Sequence, residues 1–172
     1  MEPVRGGSLA VLTDEIRDLF KKENNQMSVA SWAIRFAASC EGVITVLSGM
    51  SNLEQLRDNI SYMENFTPLS DSERDTVMKA AEILKNTPTI PCTSCKYCVE
   101  GCPVKINIPS LFGVYNKRKV YGNKVWTAND FAKITKDSGK PSDCIGCRAC
   151  ESVCPQHIEI SELMQELKEE FE

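Results

Sequence analysis

Eight of the nine cysteines in this 172-residue sequence fall between positions 92 and 154, in two blocks of identical spacing. Each block reads C-x2-C-x2-C-x3-C-P, beginning at Cys92 and at Cys144. Three thiolates at this spacing can bind three iron atoms of one [4Fe–4S] cubane. The fourth cysteine is followed by proline and points away from that cubane, and in the bacterial two-cluster arrangement it binds the other cluster.

The spacing therefore predicts two crossed ligand sets. One is Cys92, Cys95, Cys98 and Cys154, and the other is Cys144, Cys147, Cys150 and Cys102. Zinc is the alternative metal because it also prefers thiolates, but zinc sites usually pair two C-x2-C clamps. A third cysteine at the same spacing, present in both blocks, favours iron–sulfur clusters. The N-terminus has no hydrophobic export signal, so we expect a cytoplasmic chain with reduced thiols rather than disulfides.

The cysteine blocks are part of an internal repeat. The segments CTSCKYCVEGCPVKINIPSLF and CIGCRACESVCPQHIEISELM align without a gap at an offset of 52 residues. Between them, Ser110 is predicted to cap a helix through LFGVYNKRKV, and TANDFAKIT is predicted to form a second helix. Ser161 is predicted to begin the C-terminal helix.

Charge is distributed unevenly over this half. Residues 103–143 contain eight Lys or Arg and three Asp, a net charge of +5. This basic insert is a candidate docking face for an acidic redox partner. The favoured interpretation is a solvated face that partly balances the cluster charge, because charge runs usually have that role.

The first half is predicted to consist of helices around one short strand. A helix capped by Thr13 and Asp14 is followed by the apolar helix SVASWAIRFAAS, in which Trp32 is expected to lie in the core. The β-branched run Val43–Leu47 (VITVL) predicts a strand buried on both faces. Asn52 is expected to cap the next helix, and Ser70 with Glu73 forms a capping-box pattern before the last one. The chain is thus predicted to be mainly α with a minor β element.

The remaining distinctive residues have ordinary structural interpretations. Cys40 and Trp126 are expected to be buried, and His157, the single histidine, is expected to be packed and hydrogen-bonded. The net charge of −4 shows no bias toward nucleic acid, and no apolar run approaches the ~18 residues of a membrane span. We therefore expect neither a nucleic-acid partner nor a membrane partner.

Two segments of the first half resemble a known enzyme family. The N-terminal MEPVRGG and the stretch SVASWAIRFAASCEGVITVLSGMSNLEQLRDN resemble the C-terminal end of an aldo/keto reductase barrel. With the cysteine blocks behind them, the whole chain resembles the last part of an aldo/keto reductase fused to a two-[4Fe–4S] ferredoxin-type domain. The resemblance implies an incomplete barrel remnant over residues 1–87 and a helical cluster domain over residues 88–172.

The resemblance also implies where NADP would bind. Arg5 and Gly6 match the path of the pyrophosphate. The residues that match the adenosine-phosphate end are Gly49, Ser51, Gln55 and Asn59. A loop that feeds a helix N-terminus favours phosphate, but Gln55 and Asn59 read equally well as exposed helix residues. Asp58 stands where related reductases often carry Glu.

The strands that carry the catalytic residues of the aldo/keto reductases have no counterpart here, so no catalytic residue is predicted. The implied function is electron transfer through two [4Fe–4S] clusters for an NADP-dependent aldo/keto-reductase-like oxidoreductase. The expected partner is a redox protein or the missing N-terminal part of the barrel. The alternatives are a stand-alone ferredoxin-like carrier and a redox-inactive cluster domain with a structural role.

Overall fold

The computed structural model describes all 172 residues, and its regular secondary structure is almost entirely helical. The nine α-helices are α1 (Asp14–Glu23), α2 (Val29–Ala38), α3 (Leu53–Met63), α4 (Asp71–Asn86), α5 (Tyr97–Glu100), α6 (Ile108–Tyr121), α7 (Lys124–Lys136), α8 (Ala149–Ser152) and α9 (Ile160–Phe171). One 3-10 turn covers Pro141–Asp143. The one β-bridge is isolated and joins Ile106 to Gly139. This confirms the predicted mainly α class, in which no barrel is formed.

The chain divides into two compact units. The first contains Met1–Thr87 with Val120–Gly122, and the second contains Pro88–Lys119 with Asn123–Glu172. No helix is both long and apolar enough to span a membrane.

The core of the first unit lies between α1, α2 and α4. Phe20 and Trp32 stack with their ring centroids 4.7 Å apart, and Trp32 is 1% exposed, as predicted. Arg35 of α2 is buried and donates to both carboxylate oxygens of Glu73 at 2.7 and 3.0 Å. Glu73 also completes the predicted capping box with Ser70 at the start of α4. One carboxylate therefore caps α4 and joins it to α2.

The strand predicted over Val43–Leu47 does not form. These residues make no β-ladder, and the side chain of Ile44 is fully exposed. A strand requires a neighbour to accept its backbone hydrogen bonds, and the chain supplies no second strand. Asn52 caps α3 as predicted, because its side-chain oxygen accepts from the N–H of Gln55.

Two residues expected in the core lie at the surface. Cys40 is exposed, because it follows the end of α2 in a surface turn rather than lying on its buried face. Trp126 is 47% exposed, because it lies in the first turn of α7 while Thr127 and Phe131 form the buried side of that helix.

The core of the second unit is built mainly by α6 and α9. Its most buried side chains are Ile106, Ile108, Leu111, Phe112, Ile160, Met164 and Leu167. Helix α6 begins two residues before the predicted cap Ser110, and α9 begins one residue before Ser161. Pro109 can occupy the first turn of α6 because N–H groups there have no intrahelical acceptor.

Candidate metal centre

The sequence repeat is also a repeat of the backbone. Helices α5 and α8 lie 52 residues apart, as do the first residues of α6 and α9. The N–H of Lys105 donates to Cys102 O at 3.1 Å, and the N–H of His157 donates to Cys154 O at the same distance. Left-handed residues recur at this offset too: Ser94 with Gly146, Lys96 with Arg148, and Lys105 with His157. The two cysteine blocks thus fold in the same way.

Within each block, left-handed residues alternate with the cysteines. Ser94 and Lys96 have φ values of +57° and +69°, although neither is glycine. A left-handed conformation costs an ordinary L-residue roughly 1–2 kcal/mol. Such turns make successive backbone N–H groups converge into a concavity that binds anions, including iron–sulfur clusters. The strained backbone turns therefore lie where the sulfides of a cluster would need hydrogen-bond donors.

Four cysteines line one small cavity, which we call cavity A. Three come from the first block, Cys92, Cys95 and Cys98, and the fourth is Cys154 from the end of the second block. Cys98 is buried, whereas Cys95 is exposed at the mouth.

The other four cysteines line a second small cavity, which we call cavity B. They are Cys144, Cys147 and Cys150 of the second block and Cys102 of the first. The backbone N–H of Ile106 donates to Cys102 Sγ at 3.4 Å, so this sulfur already receives one hydrogen bond. In both cavities, three neighbouring cysteines meet a fourth from the opposite block.

A thin apolar wall separates the two cavities. Ile108 and Ile160 line both of them, and each is at most 2% exposed. These isoleucines start α6 and α9 and occupy equivalent positions of the repeat. The cavities are therefore adjacent parts of one core.

The buried thiols have raised pKa values. Burial raises the pKa of the Cys98 thiol, and the nearby thiols of Cys92, Cys95 and Cys154 raise it further. Burial, followed by the neighbouring Glu151 carboxylate and Cys144, raises the pKa of Cys150 to about 11. These thiols therefore carry protons in the absence of metal, and metal binding must displace them.

The donor set fits an iron–sulfur cluster better than a single metal ion. Four thiolates around one zinc ion lie only about 3.8 Å apart, given Zn–S bonds of about 2.3 Å. No three Cys, His, Asp or Glu side chains converge closely enough to hold one ion. The hydroxyl oxygen of Ser161, which lines cavity B, is buried without a direct hydrogen-bond partner, beside the Glu151 carboxylate that accepts from the Ser161 N–H at 2.7 Å and whose pKa Ser161 helps to lower. A cluster sulfur is an acceptor for such a hydroxyl.

The residues proposed for NADP lie in two separate stretches. Arg5 and Gly6 belong to a run of hydrogen-bonded turns before α1. At the start of α3, Gln55 Oε1 accepts from Ser51 N at 2.8 Å. Asn59 Nδ2 donates to Ser48 Oγ at 2.9 Å. The side-chain amides of Gln55 and Asn59 therefore already have hydrogen-bond partners within the protein.

The exposed loop that contains Gly49 lies beside these residues. Asp58 accepts from Ser28 Oγ at 2.7 Å and so joins α3 to the cap of α2.

Sequence reasoning missed the wall and the unpartnered hydroxyl. The aligned isoleucines of the repeat were the available signal for the wall, because a residue shared by two equivalent sites must itself be repeated. Nothing in the sequence marked the Ser161 hydroxyl, since its equivalent in the first block is Pro109. His157 is exposed rather than packed, in a left-handed turn after Cys154.

Comparison with known families agrees with both halves of the predicted fusion. Residues 8–82 match the model of the aldo/keto reductase family. Residues 91–159 match the model of the 4Fe-4S dicluster domain. The chain thus joins an aldo/keto reductase region to an iron–sulfur, ferredoxin-type domain.

Three curated proteins match parts of the chain. It is 40% identical over 63 residues to a zinc-containing ferredoxin of Thermoplasma acidophilum, covering 34% of this chain and 43% of that protein. It is 29% identical over 98 residues to acetyl-CoA decarbonylase/synthase complex subunit alpha 1 of Methanosarcina barkeri, covering 57% of this chain. The corresponding subunit of Methanosarcina acetivorans is 26% identical over 100 residues, which cover 58% of this chain. The chain spans a tenth of the length of both subunits. No solved structure matches it significantly.

Proposed function

We propose that this chain transfers electrons through two [4Fe–4S] clusters, one in each cavity, for an NADP-dependent oxidoreductase of the aldo/keto reductase type. The observation that carries the proposal is the pair of adjacent cavities, each lined by four cysteines. When bound, a [4Fe–4S] cluster supplies reversible one-electron chemistry. The protein holds the cysteines, donates the N–H of Ile106 to Cys102 Sγ and places Ile108 and Ile160 between the two sites.

The proposed ligands are crossed between the blocks. Cys92, Cys95, Cys98 and Cys154 would hold the cluster in cavity A, and Cys102, Cys144, Cys147 and Cys150 the cluster in cavity B. Crossing is supported by the path of the chain, because Cys102 begins a new turn, closed by the N–H of Lys105 on Cys102 O, in which Pro103 supplies its fixed φ. The same holds for Pro155 after Cys154.

Paired cysteine variants test this ligation. Cys102→Ala should damage the same cluster as Cys147→Ala, and Cys95→Ala should damage the other. Electron paramagnetic resonance (EPR) of the reduced, anaerobically reconstituted chain can distinguish the remaining cluster in each variant. Cys40→Ala is the matched control, because Cys40 lines neither cavity and should leave both spectra unchanged. If Cys102→Ala and Cys95→Ala damage the same cluster, ligation is local and the crossed assignment is wrong.

NADP is the proposed second cofactor, and it would use an incomplete site formed by the start of α3 with Arg5 and Gly6. Asn52 caps α3, whose free N–H groups and helix dipole favour a phosphate. The chain carries no residues matching the catalytic acid of the family. We therefore expect no NADPH-linked reduction of simple aldehydes by this chain alone. Turnover by the isolated chain would contradict this expectation. A calorimetric titration with NADP would measure binding directly.

The proposed partner is either a redox protein or the remaining strands of an aldo/keto reductase barrel, in the cytoplasm. The segment Val43–Met50 supports the second partner, because it has no regular secondary structure and is largely exposed although rich in strand-forming residues. Its unpaired backbone groups are those that a neighbouring strand would satisfy. If barrel strands are supplied as a separate chain, the amide hydrogens of Val43–Met50 should become protected from exchange. Absence of protection would rule out barrel strands as the partner.

A structural, redox-inactive role is the second candidate. It is favoured by the position of Cys98 and Cys150, which are buried within the main core of the second unit. Clusters that assemble fully yet accept no electron at accessible potentials would support this role over electron transfer.

A further inference from the structure

We propose that cavities A and B give their clusters unequal reduction potentials, with the higher potential in cavity A. The first electron accepted from a one-electron donor then resides on the cluster held by Cys92, Cys95, Cys98 and Cys154. This inference rests on the proposed electron-transfer function and assigns a direction to it.

The two cavities are built by equivalent residues of the 52-residue repeat. Every residue that lines cavity A has its repeat equivalent, 52 positions away, lining cavity B. Most of these pairs are identical or similar in type. Differences between the two cavities can therefore be read as differences between two versions of one site.

The rim of cavity A is polar where the rim of cavity B is apolar. Thr93 lines cavity A, and its equivalent in cavity B is Ile145. Gln156 lines cavity A, and its equivalent is Val104. Hydrogen bonds to cluster sulfurs and access to solvent both affect the reduction potential. Polar groups at the mouth favour the reduced cluster, because reduction adds one negative charge.

The cation at each mouth also differs in its surroundings. Lys96 lines cavity A and forms no salt bridge, whereas its equivalent Arg148 lies 3.8 Å from Glu151 and 3.9 Å from Glu162. The equivalents of these two acids in the first block are Val99 and Ser110. Cavity A thus has a cation free of acidic partners, and cavity B has a cation accompanied by two carboxylates. Nearby negative charge disfavours adding an electron.

Two features of cavity B act in the opposite direction. Its Ser161 can donate a hydroxyl hydrogen bond where cavity A has Pro109, and the N–H of Ile106 donates to Cys102 Sγ at 3.4 Å. These two donors are set against two polar rim residues and an unpaired lysine at cavity A, and against the two carboxylates beside Arg148 at cavity B. The balance favours the electron in cavity A.

Reciprocal exchange of one rim residue tests the assignment. In an EPR-monitored redox titration of the reconstituted full chain, the unmodified protein should show two distinct one-electron potentials. Gln156→Val should lower the higher potential and leave the lower one unchanged. Val104→Gln should raise the lower potential and leave the higher one unchanged. Gln156 is exposed and Val104 half-buried, so neither substitution disturbs the central core.

Gln165→Val is the matched control, because it makes the same chemical change at an exposed site on α9 that lines neither cavity. It should move neither potential. Coincident potentials, or a Gln156→Val variant that shifts only the lower one, would overturn the inequality while leaving electron transfer intact. Clusters that assemble but accept no electron would overturn the inference together with the proposed function.

Discussion

Gly139 is the residue whose substitution should most clearly expose how cavity B is built. It lies between α7 and the 3-10 turn, where its N–H donates to Lys105 O at 3.1 Å and it forms the isolated bridge with Ile106. A methyl group at this position would overlap the carbonyl oxygen of Val104 and lie 3.0 Å from Ile106 Cγ1. Both of these neighbours line cavity B. Gly139→Ala must therefore displace the wall of that cavity.

The magnitude follows from two losses. Overpacking against backbone costs about 1–3 kcal/mol, and losing the hydrogen bond to Lys105 costs about 1 kcal/mol more. The second unit should thus be destabilised by about 2–4 kcal/mol, which lowers the melting temperature of a unit this size by on the order of 10 °C or more. Chelators should also remove iron faster, because a displaced wall opens cavity B.

The assay is thermal melting and chelator-induced iron release from the reconstituted chain, with Gly113→Ala as the matched control. A methyl group at Gly113 meets no atom within 4 Å, and this exposed residue lies inside α6. The control should therefore stabilise the helix by about 1 kcal/mol. If Gly139→Ala melts and releases iron like the unmodified chain, the contact does not shape the cavity and the reasoning fails.

Three further predictions concern other parts of the chain. Glu73→Ala should destabilise the first unit by about 3–5 kcal/mol in a thermal melt, because it leaves Arg35 buried without its charge partner, whereas exposed Glu64→Ala should not. Burial raises the pKa of the Glu73 carboxyl, but hydrogen bonds from Arg35 and Ser70 lower it overall below its ordinary 4.5. The stabilisation is therefore present above that pH and lost as the pH falls through the lower folded-state pKa, and Glu73→Gln should flatten this acid dependence. Ser161→Ala should lower the potential of the cluster in cavity B in a redox titration by removing its hydroxyl donor, and an unchanged potential would show that the hydroxyl does not reach a sulfur. Chelation should abolish hydrogen-exchange protection over residues 92–172 while α1, α2 and α4 keep theirs, since ligation supplies much of the folding free energy of the cluster domain; retained protection there would contradict this.

The local signals in the sequence predicted most of the helices because their causes are local. Ser28 and Asn52 cap α2 and α3, and Ser70 with Glu73 forms the capping box of α4. The 52-residue offset also predicted two equivalent backbone loops, since a repeated sequence with the same turns folds in the same way. These features need no knowledge of distant contacts.

Features that depend on distant neighbours could not be read in the same way. Val43–Leu47 has strand-forming side chains, but a strand exists only where another strand accepts its hydrogen bonds. Gly139 resembles an ordinary turn glycine, and only the approach of Val104 reveals why a side chain is excluded. The orphaned hydroxyl of Ser161 likewise depends on the surroundings that the folded chain gives it.

Metal analysis combined with a reductive titration of the anaerobically reconstituted chain tests the central proposal most directly. Two [4Fe–4S] clusters require about eight irons per chain, and electron transfer requires that each cluster accept one electron. We expect about eight irons, negligible zinc and two one-electron reductions. Stoichiometric zinc with little iron, or a full complement of iron that cannot be reduced, would contradict the account.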